Sequence, residues 1–104
     1  MAKNKYTIKY LPSFSEELDE ILYYITFILK NKKAAERLLN RVHEVIEQRS
    51  ENPESYEMYK NKINMKYSWY RIYIGNFTIF YTTRNNIMEI THIIYSKRNF
   101  DHLI

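Results

Sequence analysis

The stretch RIYIGNFTIFYTT, residues 71–83, decides the fold and contains the only glycine in the chain. On both sides of Gly75 and Asn76, apolar residues alternate with other side chains, a pattern typical of strands with one buried face. Glycine and asparagine accept the positive φ angles that two-residue turns between antiparallel strands require. The stretch therefore predicts a β-hairpin that reverses at Gly75 and Asn76.

Two further segments extend this hairpin into a larger sheet. The polar residues 84–86 predict a second turn, and residues 87–95 alternate again as a third strand. Near the start of the chain, KYTIKY at 5–10 predicts a half-buried strand of its own. Residues 56–65 are rich in tyrosine and lysine, have no clear period and are interpreted as a loop.

Between the first strand and this loop, the apolar spacing predicts two helices. At the start of the first helix, Ser13 and Glu16 have the spacing of a capping box. Asn31 is interpreted as a turn residue or C-cap at its end. The second helix covers residues 34–49, and Pro53 cannot continue it. Because the link is short, the two helices should form an antiparallel hairpin. The stripe of the first helix comprises Phe14, Leu18, Ile21, Leu22, Ile25 and Leu29.

These elements fit one α+β domain over residues 1–104, with an N-terminal strand and a helical hairpin before a small, mainly antiparallel sheet. The helices can hide their apolar stripes only by packing on one face of that sheet. Strand alternation assigns to this face Ile72, Ile74, Phe77, Ile79, Ile90 and Ile94. The opposite face, which is expected to be open, receives Arg71, Tyr73, Thr78, Phe80, Thr91 and Tyr95.

The composition excludes several classes of protein. The chain has no cysteine for disulfide or thiolate chemistry. It also has no apolar run near the ~20 residues of a membrane span and no secretion signal at its start. We therefore expect a cytoplasmic protein without a membrane partner. His43, His92 and His102 lack metal-ligand spacing, and we expect His92 in the core, facing the helices. No metal and no cofactor are predicted.

The net charge of +4 is unevenly distributed. Residues 60–104 carry seven lysines and arginines against two acidic residues, whereas residues 34–59 carry three against six. A basic C-terminal half favours an anionic partner. A lysine-rich surface that only keeps the protein soluble fits the same charges, so both interpretations stay open.

The predicted open face combines cations with aromatic rings. Arg71, Tyr73 and Tyr95 lie on it, and Lys97 and Arg98 follow the last strand. Rings can stack on bases and cations can hold phosphates, so the face fits RNA. Cleavage of RNA would need an acid or base, for which Tyr95 is the candidate, and cations such as Arg71 and Arg98 for the phosphorane charge. Alternatively, the rings cap the sheet or contact a protein partner.

In its order of elements, the chain resembles the RelE/ParE superfamily of toxins from type II toxin–antitoxin modules over roughly residues 5–103. The opening strand and helix, YTIKYLPSFSEELDEILYYI at 6–25, and the second helix, AAERLLNRVHEVIEQRSENPES at 34–55, are similar to those of the family. The most specific stretch is YRIYIGNFTIFYTTRNNIMEITHIIYSKRNF at 70–100, which combines Tyr-Arg, a Gly-Asn hairpin, an aromatic strand and a closing basic motif.

The resemblance implies a toxin that a cognate antitoxin keeps inactive. ParE-like members poison DNA gyrase, whereas RelE-like members cleave mRNA on the ribosome without a metal. A RelE-like endoribonuclease would use as catalytic residues Arg71, Tyr95, Lys97 and Arg98. The candidates for binding the target are Lys66, Arg71, Tyr73, Thr78, Lys97 and Arg98.

Two features favour the ParE-like branch. Thr78 occupies the position where RNA-cleaving members usually place an arginine beside the scissile phosphate. The long helical hairpin is also similar to that of ParE-like toxins. The basic sheet half favours the RelE-like branch instead, and a degenerate module that retains only antitoxin binding is a third hypothesis.

Overall fold

The computed structural model of the chain describes residues 5–59 and 68–96. In chain order, the elements are β1 (Thr7–Tyr10), α1 (Pro12–Tyr23), a π-helix (Tyr24–Ile28), α2 (Lys32–Arg49), a 3₁₀ turn (Pro53–Ser55), β2 (Met58–Tyr59), β3 (Ser68–Ile74), β4 (Phe77–Arg84) and β5 (Ile87–Tyr95). The strands form one sheet in the order β1-β5-β4-β3-β2. β1 runs parallel to β5, and the other neighbours are antiparallel. The predicted α+β fold with a mainly antiparallel sheet is confirmed.

Both predicted turns of the sheet are present. Ile74 pairs with Phe77 across the first turn, where Gly75 has a φ of +53°. In the second turn, Asn85 and Asn86 have φ angles of +52° and +62°. These are the angles that primed hairpin turns require, and asparagine is among the few residues that adopt them readily. The sheet therefore reverses at residues whose backbones tolerate a left-handed conformation.

Replacing Gly75 by alanine should lower the free energy of unfolding by about 1 kcal/mol. A Cβ atom on Gly75 would meet no other atom within 4 Å, so the cost comes from the left-handed backbone and not from crowding. The control is Asn85→Gly, which has a similar φ and should change stability by less than about 0.5 kcal/mol. Urea unfolding measures both variants, and equal stability of Gly75→Ala and wild type would contradict the argument.

The hydrophobic core lies between the helical hairpin and one face of the sheet. Ile72, Ile74 and Ile79 point into it, as the alternation of β3 and β4 predicts. The core comprises Phe14 and Leu18 of α1, Val42, Val45 and Ile46 of α2, and Tyr70, Ile72, Ile74, Ile79, Tyr81, Met88, Ile90 and Ile93 of the sheet. Burial of these large apolar side chains is the main favourable term in the stability of the domain.

A β-bulge reverses the alternation of β5. Tyr81 pairs with Ile90, but the preceding Phe80 pairs with His92, so Thr91 is an extra residue in β5. Beyond it, Ile93 lies opposite Ile79 and joins the core. A bulge of this kind shifts every later side chain to the other face of the sheet.

Three predicted positions in β5 are therefore wrong, and one of them is that of His92, which pairs with Phe80. Tyr95 pairs with Phe77 on the face toward the helices, although it was assigned to the opposite face. Ile94 pairs with Thr78 and lies on the face away from the helices. The prediction assumes a regular strand, and nothing in the sequence pattern of β5 marks the extra residue.

The start of α1 also differs from the prediction. Pro12 is the first helical residue, Leu11 precedes it, and no side chain caps this end. Proline suits the first position because it has no N–H to satisfy there. The capping box of Ser13 and Glu16 is therefore wrong. Instead, the Ser13 hydroxyl donates a hydrogen bond to the carbonyl oxygen of Thr91, at 2.6 Å.

The first helix ends in a π-helix, which changes where its last side chains point. The Leu29 N–H bonds to the Tyr24 carbonyl, five residues back, at 2.9 Å. The wider turn rotates Leu29 away from the predicted stripe, and 55% of its surface is exposed. Lys30 then adopts a left-handed conformation, with φ of +52°. Asn31 is the N-cap of α2 rather than a C-cap, and its side chain accepts a hydrogen bond from the Ala34 N–H at 3.1 Å.

Part of the segment interpreted as a loop is an edge strand. Met58 and Tyr59 form β2, which pairs with Tyr70 and Trp69 of β3. Two residues are too few to show a period in sequence. The pairing satisfies backbone groups on this edge of β3, which the hairpin alone would leave unpaired.

Candidate functional site

The sheet face predicted to be open is largely buried. Thr78 and Phe80 are 4% and 3% exposed, and Thr91 is also buried. The Thr78 hydroxyl shares a hydrogen bond with the Ser96 hydroxyl at 2.9 Å. The prediction of a broad, open aromatic face is therefore wrong. In the part of the chain that the structure describes, this face has a strongly exposed ring only on β3.

That ring belongs to Tyr73. It is 64% exposed, and the Arg71 guanidinium carbon lies 5.6 Å from its centroid. Arg71 itself is half-buried. The structure thus keeps Arg71 and Tyr73 together, as the alternation of β3 predicts. Lys66, Lys97 and Arg98 lie outside the described residues.

Tyr95 is separated from this pair by the sheet. Its ring packs edge-on against Phe77, with 5.9 Å between centroids, and it is 44% exposed on the helix side. Arg71 points to the other side. The described residues therefore do not bring Arg71 and Tyr95 together on one surface.

The helix side contains a large groove that the sequence did not predict. It has a volume of about 630 Å³ and lies between the first helix and the ends of β4 and β5. We call it the hairpin groove, and its lining comprises Glu17, Glu20, Ile21, Tyr24, Ile25, Leu29, Asn76, Phe77, Ile93, Ile94 and Tyr95. Apolar side chains dominate it, and Glu17 and Glu20 give it a negative rim. Such a surface is suited to bind an apolar segment of a partner.

The π-helix contributes to the shape of this groove. Tyr24 and Ile25 lie in its wide turn, Leu29 is its C-cap, and all three line the groove. An α-helix continued at its usual spacing would direct Leu29 into the core, as the sequence suggested. Insertions of this type are frequent at functional sites. The groove therefore depends on a helical irregularity that the apolar pattern did not reveal.

Glu17 forms part of one wall of the groove, and it bonds to the edge of β5 beyond the point where β1 ends. β1 ends where Tyr10 pairs with Ile90, so β5 continues without it. Beyond that point, a Glu17 carboxylate oxygen accepts a hydrogen bond from the Ile93 N–H at 3.0 Å. The other oxygen lies 3.0 Å from Nδ1 of His92. α1 thereby satisfies the edge of β5 and holds the groove at a fixed width.

His92 accordingly differs from its predicted place. It lies opposite Phe80 in the register and not among the core residues that face the helices. Its ring nitrogen Nδ1 lies within hydrogen-bonding distance of Glu17. The bulge at Thr91 accounts for the difference.

Replacing Glu17 by alanine should lower the free energy of unfolding by about 1 kcal/mol, because the Ile93 N–H loses its acceptor. Glu16→Ala is the matched control, since Glu16 is an exposed neighbour on the same helix turn and should change stability by less than about 0.5 kcal/mol. Chemical unfolding reports the energies, and hydrogen exchange at Ile93 should accelerate only in the first variant. Unchanged exchange there would contradict the role of Glu17.

A second buried network, built on Arg49 and Tyr81, positions β3. Arg49 Nη1 donates to the Tyr81 hydroxyl at 2.9 Å and to the Arg71 carbonyl at 3.1 Å. The guanidinium lies 3.5 Å from the centroid of the Tyr56 ring. The Tyr81 hydroxyl in turn donates to the Pro53 carbonyl at 2.8 Å. Burial raises the pKa of Tyr81 to about 12, although the hydrogen bond from Arg49 opposes the shift.

This network was missed by the sequence analysis, in which Arg49 only ended a helix. It joins the end of α2, the turn after it and two strands at one point. Its effect is to hold the backbone of Arg71, and with it the neighbouring Tyr73, in a fixed place. No single local pattern in the sequence shows such a long-range contact.

Within residues 5–59 and 68–96, no group of three histidine, aspartate or glutamate side chains could hold a metal ion. None of the helices in these residues has the length and apolar character needed to cross a bilayer.

A two-helix hairpin on one face of this sheet is the fold of the RelE/ParE superfamily of type II toxins. Within it, the chain belongs to the ParE toxin family: the family model described as "ParE toxin of type II toxin-antitoxin system, parDE" matches residues 8–100. Among solved structures, a chain of the chromosomal ParDE toxin–antitoxin system from P. aeruginosa has a similar fold, with a TM-score of 0.66 and 12% identity. The alignment covers 90% of this chain and 99% of that one. No curated protein matches the sequence.

Proposed function

We propose that this toxin acts in the cytoplasm by binding DNA gyrase of its own cell and poisoning it, and that it has no catalytic chemistry of its own. The observation that carries the proposal is the match to the ParE toxin family over nearly the whole chain, residues 8–100. Two structural observations agree with a binding function rather than with nuclease chemistry.

The first observation concerns Thr78. Thr78 occupies the position where RNA-cleaving members usually have an arginine. It is buried, with 4% of its surface exposed, and its hydroxyl shares a hydrogen bond with the hydroxyl of Ser96. A side chain in this state does not reach a phosphate. The second is the separation of Arg71 from Tyr95, since a cation and a proton-transfer group must face the same reacting atoms to act together.

For the contact with gyrase, we propose the surface around Tyr73 and Arg71, with Lys66, Lys97 and Arg98 as further candidates. Tyr73 is the most exposed large hydrophobic side chain of the sheet among the described residues, and its ring lies beside the Arg71 guanidinium. Aromatic and arginine side chains provide much of the binding energy at protein interfaces. The Arg49 network keeps this pair rigid, which reduces the entropy lost on binding.

For the cognate antitoxin, we propose the hairpin groove as the binding site of an apolar segment. Its lining of Ile21, Ile25, Leu29 and Phe77 offers apolar surface to a helix or an extended strand. Glu17 and Glu20 at the rim favour an apolar segment whose charged residues are basic at this point, because like charges in an interface repel each other.

The alternative is a RelE-like endoribonuclease that acts on mRNA at the ribosome. It is favoured by the net charge of +5 over residues 60–104, with seven basic against two acidic side chains. In that case Arg71, Tyr95, Lys97 and Arg98 would be the catalytic residues. A module that retains antitoxin binding alone is a third candidate and would have no toxicity.

Induction of the protein in growing cells separates the three candidates. A gyrase poison should cause double-strand DNA breaks and filamentation while translation continues, and the purified chain should stabilise gyrase–DNA cleavage complexes. Prompt arrest of translation with mRNA cleaved at codon positions would support the endoribonuclease. Normal growth at a high level of folded protein would leave only antitoxin binding.

A matched pair of variants then tests the proposed gyrase surface. Tyr73→Ala should weaken gyrase inhibition by roughly tenfold or more, as loss of an interface aromatic does. Tyr23→Ala removes an equally exposed ring from the helical hairpin, 62% against 64% exposed, and should inhibit gyrase like wild type. Equal inhibition by both variants would place the gyrase contact elsewhere.

A further inference from the structure

The end of the first helix exposes a row of large apolar side chains outside the hairpin groove. Tyr23, Phe27 and Ile28 are 62%, 60% and 58% exposed, and the rings of Tyr23 and Phe27 lie 4.9 Å apart. We call these three residues the helix-tip stripe. With the neighbouring Tyr24 and Leu29, the exposed apolar area is on the order of 500 Å². Patches of this size on small proteins are often interaction sites.

The charges on either side of the stripe have opposite signs. Glu16, Asp19 and Glu20 precede it and are exposed. Lys30, Lys32 and Lys33 follow it and are also exposed. At a rise of about 1.5 Å per residue, the acidic residues lie roughly 10 Å before the middle of the stripe. Lys30 lies in the reversal after the π-helix, and Lys32 and Lys33 begin α2, so the three lysines lie at the tip of the helical hairpin. The surface is therefore acidic and then apolar along the first helix, and basic at the hairpin tip.

We propose that the helix-tip stripe binds a second copy of the same chain. When two hairpins cross antiparallel about a two-fold axis at the stripe, the acidic turns of α1 in one copy face the lysines at the hairpin tip of the other. Both charge pairs form at once, because a two-fold interface repeats each contact. The apolar centre with its charged margins is somewhat smaller than the roughly 800 Å² per partner of a standard interface, so we expect a weak dimer whose population depends on concentration.

Two other partners fit the helix-tip stripe less well than a second copy. An anionic membrane would attract the three lysines but repel Glu16, Asp19 and Glu20 on the same surface. A single antitoxin segment is proposed for the hairpin groove, which shares Tyr24 and Leu29 with the patch but not Tyr23, Phe27 or Ile28. A second copy, in contrast, pairs both the acidic and the basic group of this surface.

Sedimentation velocity of the purified full-length chain, without antitoxin, tests the proposal over about 1–100 μM. Wild type should pass from monomer to dimer in this range, and Phe27→Asp should stay monomeric. The control Tyr73→Asp introduces the same charge at an equally exposed ring on β3 and should dimerise like wild type. A wild type that stays monomeric at every concentration would overturn the proposal, as would a dimer unaffected by Phe27→Asp.

Charge reversal tests the geometry of the dimer. Lys32→Glu with Lys33→Glu should raise the dissociation constant about tenfold, and so should Asp19→Lys with Glu20→Lys. The variant that combines all four changes should restore it. Failure of restoration would rule out the antiparallel arrangement.

Two further measurements test whether a membrane or the antitoxin binds the helix-tip stripe instead. Binding of monomeric wild type, but not of Phe27→Asp, to phosphatidylserine vesicles would assign the stripe to a membrane. Weaker antitoxin binding by Phe27→Asp, with wild type monomeric, would assign it to the antitoxin. Neither result bears on gyrase inhibition, so the proposed toxin function stands or falls separately.

Discussion

Replacing Leu29 by glutamate should leave the toxin folded and active but beyond the control of its antitoxin. Leu29 lines the hairpin groove and is already 55% exposed, so the new carboxylate can remain hydrated in the free protein. In the complex, the same carboxylate would be buried among apolar side chains beside the acidic rim. This penalty should weaken the complex by at least about a hundredfold.

Two readouts measure this effect. Calorimetry of the purified proteins gives the change in affinity, and growth of cells that co-express toxin and antitoxin reports neutralisation. Cells with Leu29→Glu should stop growing although the antitoxin is present. The control Met58→Glu places the same charge at an exposed position on β2, at the far edge of the sheet, and should be neutralised like wild type. Full neutralisation of Leu29→Glu would remove the groove as the antitoxin site without affecting the assignment to the toxin family.

Replacing Tyr81 by phenylalanine should lower the free energy of unfolding at neutral pH by about 2–3 kcal/mol. The buried Pro53 carbonyl loses its donor, and Arg49 loses one of its two hydrogen-bond acceptors. Tyr73→Phe is the control, because its exposed hydroxyl should contribute less than about 0.5 kcal/mol. Thermal and urea unfolding measure the difference.

The same variant should also change the response to alkaline pH. The pKa of Tyr81 rises from about 10 in the unfolded chain to about 12 in the folded protein. Folding therefore favours the neutral phenol, and this contribution is complete below pH 10. Between pH 10 and 12 only the unfolded chain ionises, so wild type should lose up to about 2–3 kcal/mol there.

Tyr81→Phe should lose less stability over the same interval. Some loss should remain, because burial also raises the pKa of Tyr10 and Tyr70. The measurement is the urea midpoint of both proteins at several pH values from 7 to about 11.5. Parallel curves for the two proteins would show that folding does not raise the pKa of Tyr81 and would contradict its role as a buried hydrogen-bond donor.

Several parts of this protein follow from the sequence because they depend on neighbouring residues. The turns at Gly75 and at Asn85-Asn86 are set by which residues tolerate a positive φ. The two helices and the alternation of β3 and β4 follow from the need to bury one face of each element. The same local order of elements was sufficient to indicate the RelE/ParE fold and a toxin.

Other parts were decided only by tertiary contacts. The bulge at Thr91 moved Tyr95 to the helix side, and burial of Thr78 and Phe80 closed the face that the alternation left open. Ser13 bonds to the Thr91 carbonyl of β5 instead of capping a helix with Glu16. Glu17 completes the edge of β5, because β1 ends at Tyr10. These outcomes depend on residues about 75 positions apart in the chain, from Glu17 to His92 and Ile93, and no local period contains them.

By itself, the sequence determined the two helices, four of the five strands, their order and the superfamily, because hydrophobic period and turn chemistry act over a few residues. The tertiary structure alone decided which side chains of different elements share a surface. It formed the hairpin groove, and it separated Tyr95 from Arg71 and Tyr73, which the alternation of β3 had already placed together. One extra residue in a strand and one wide helical turn were sufficient for this, since each rotates every side chain that follows it.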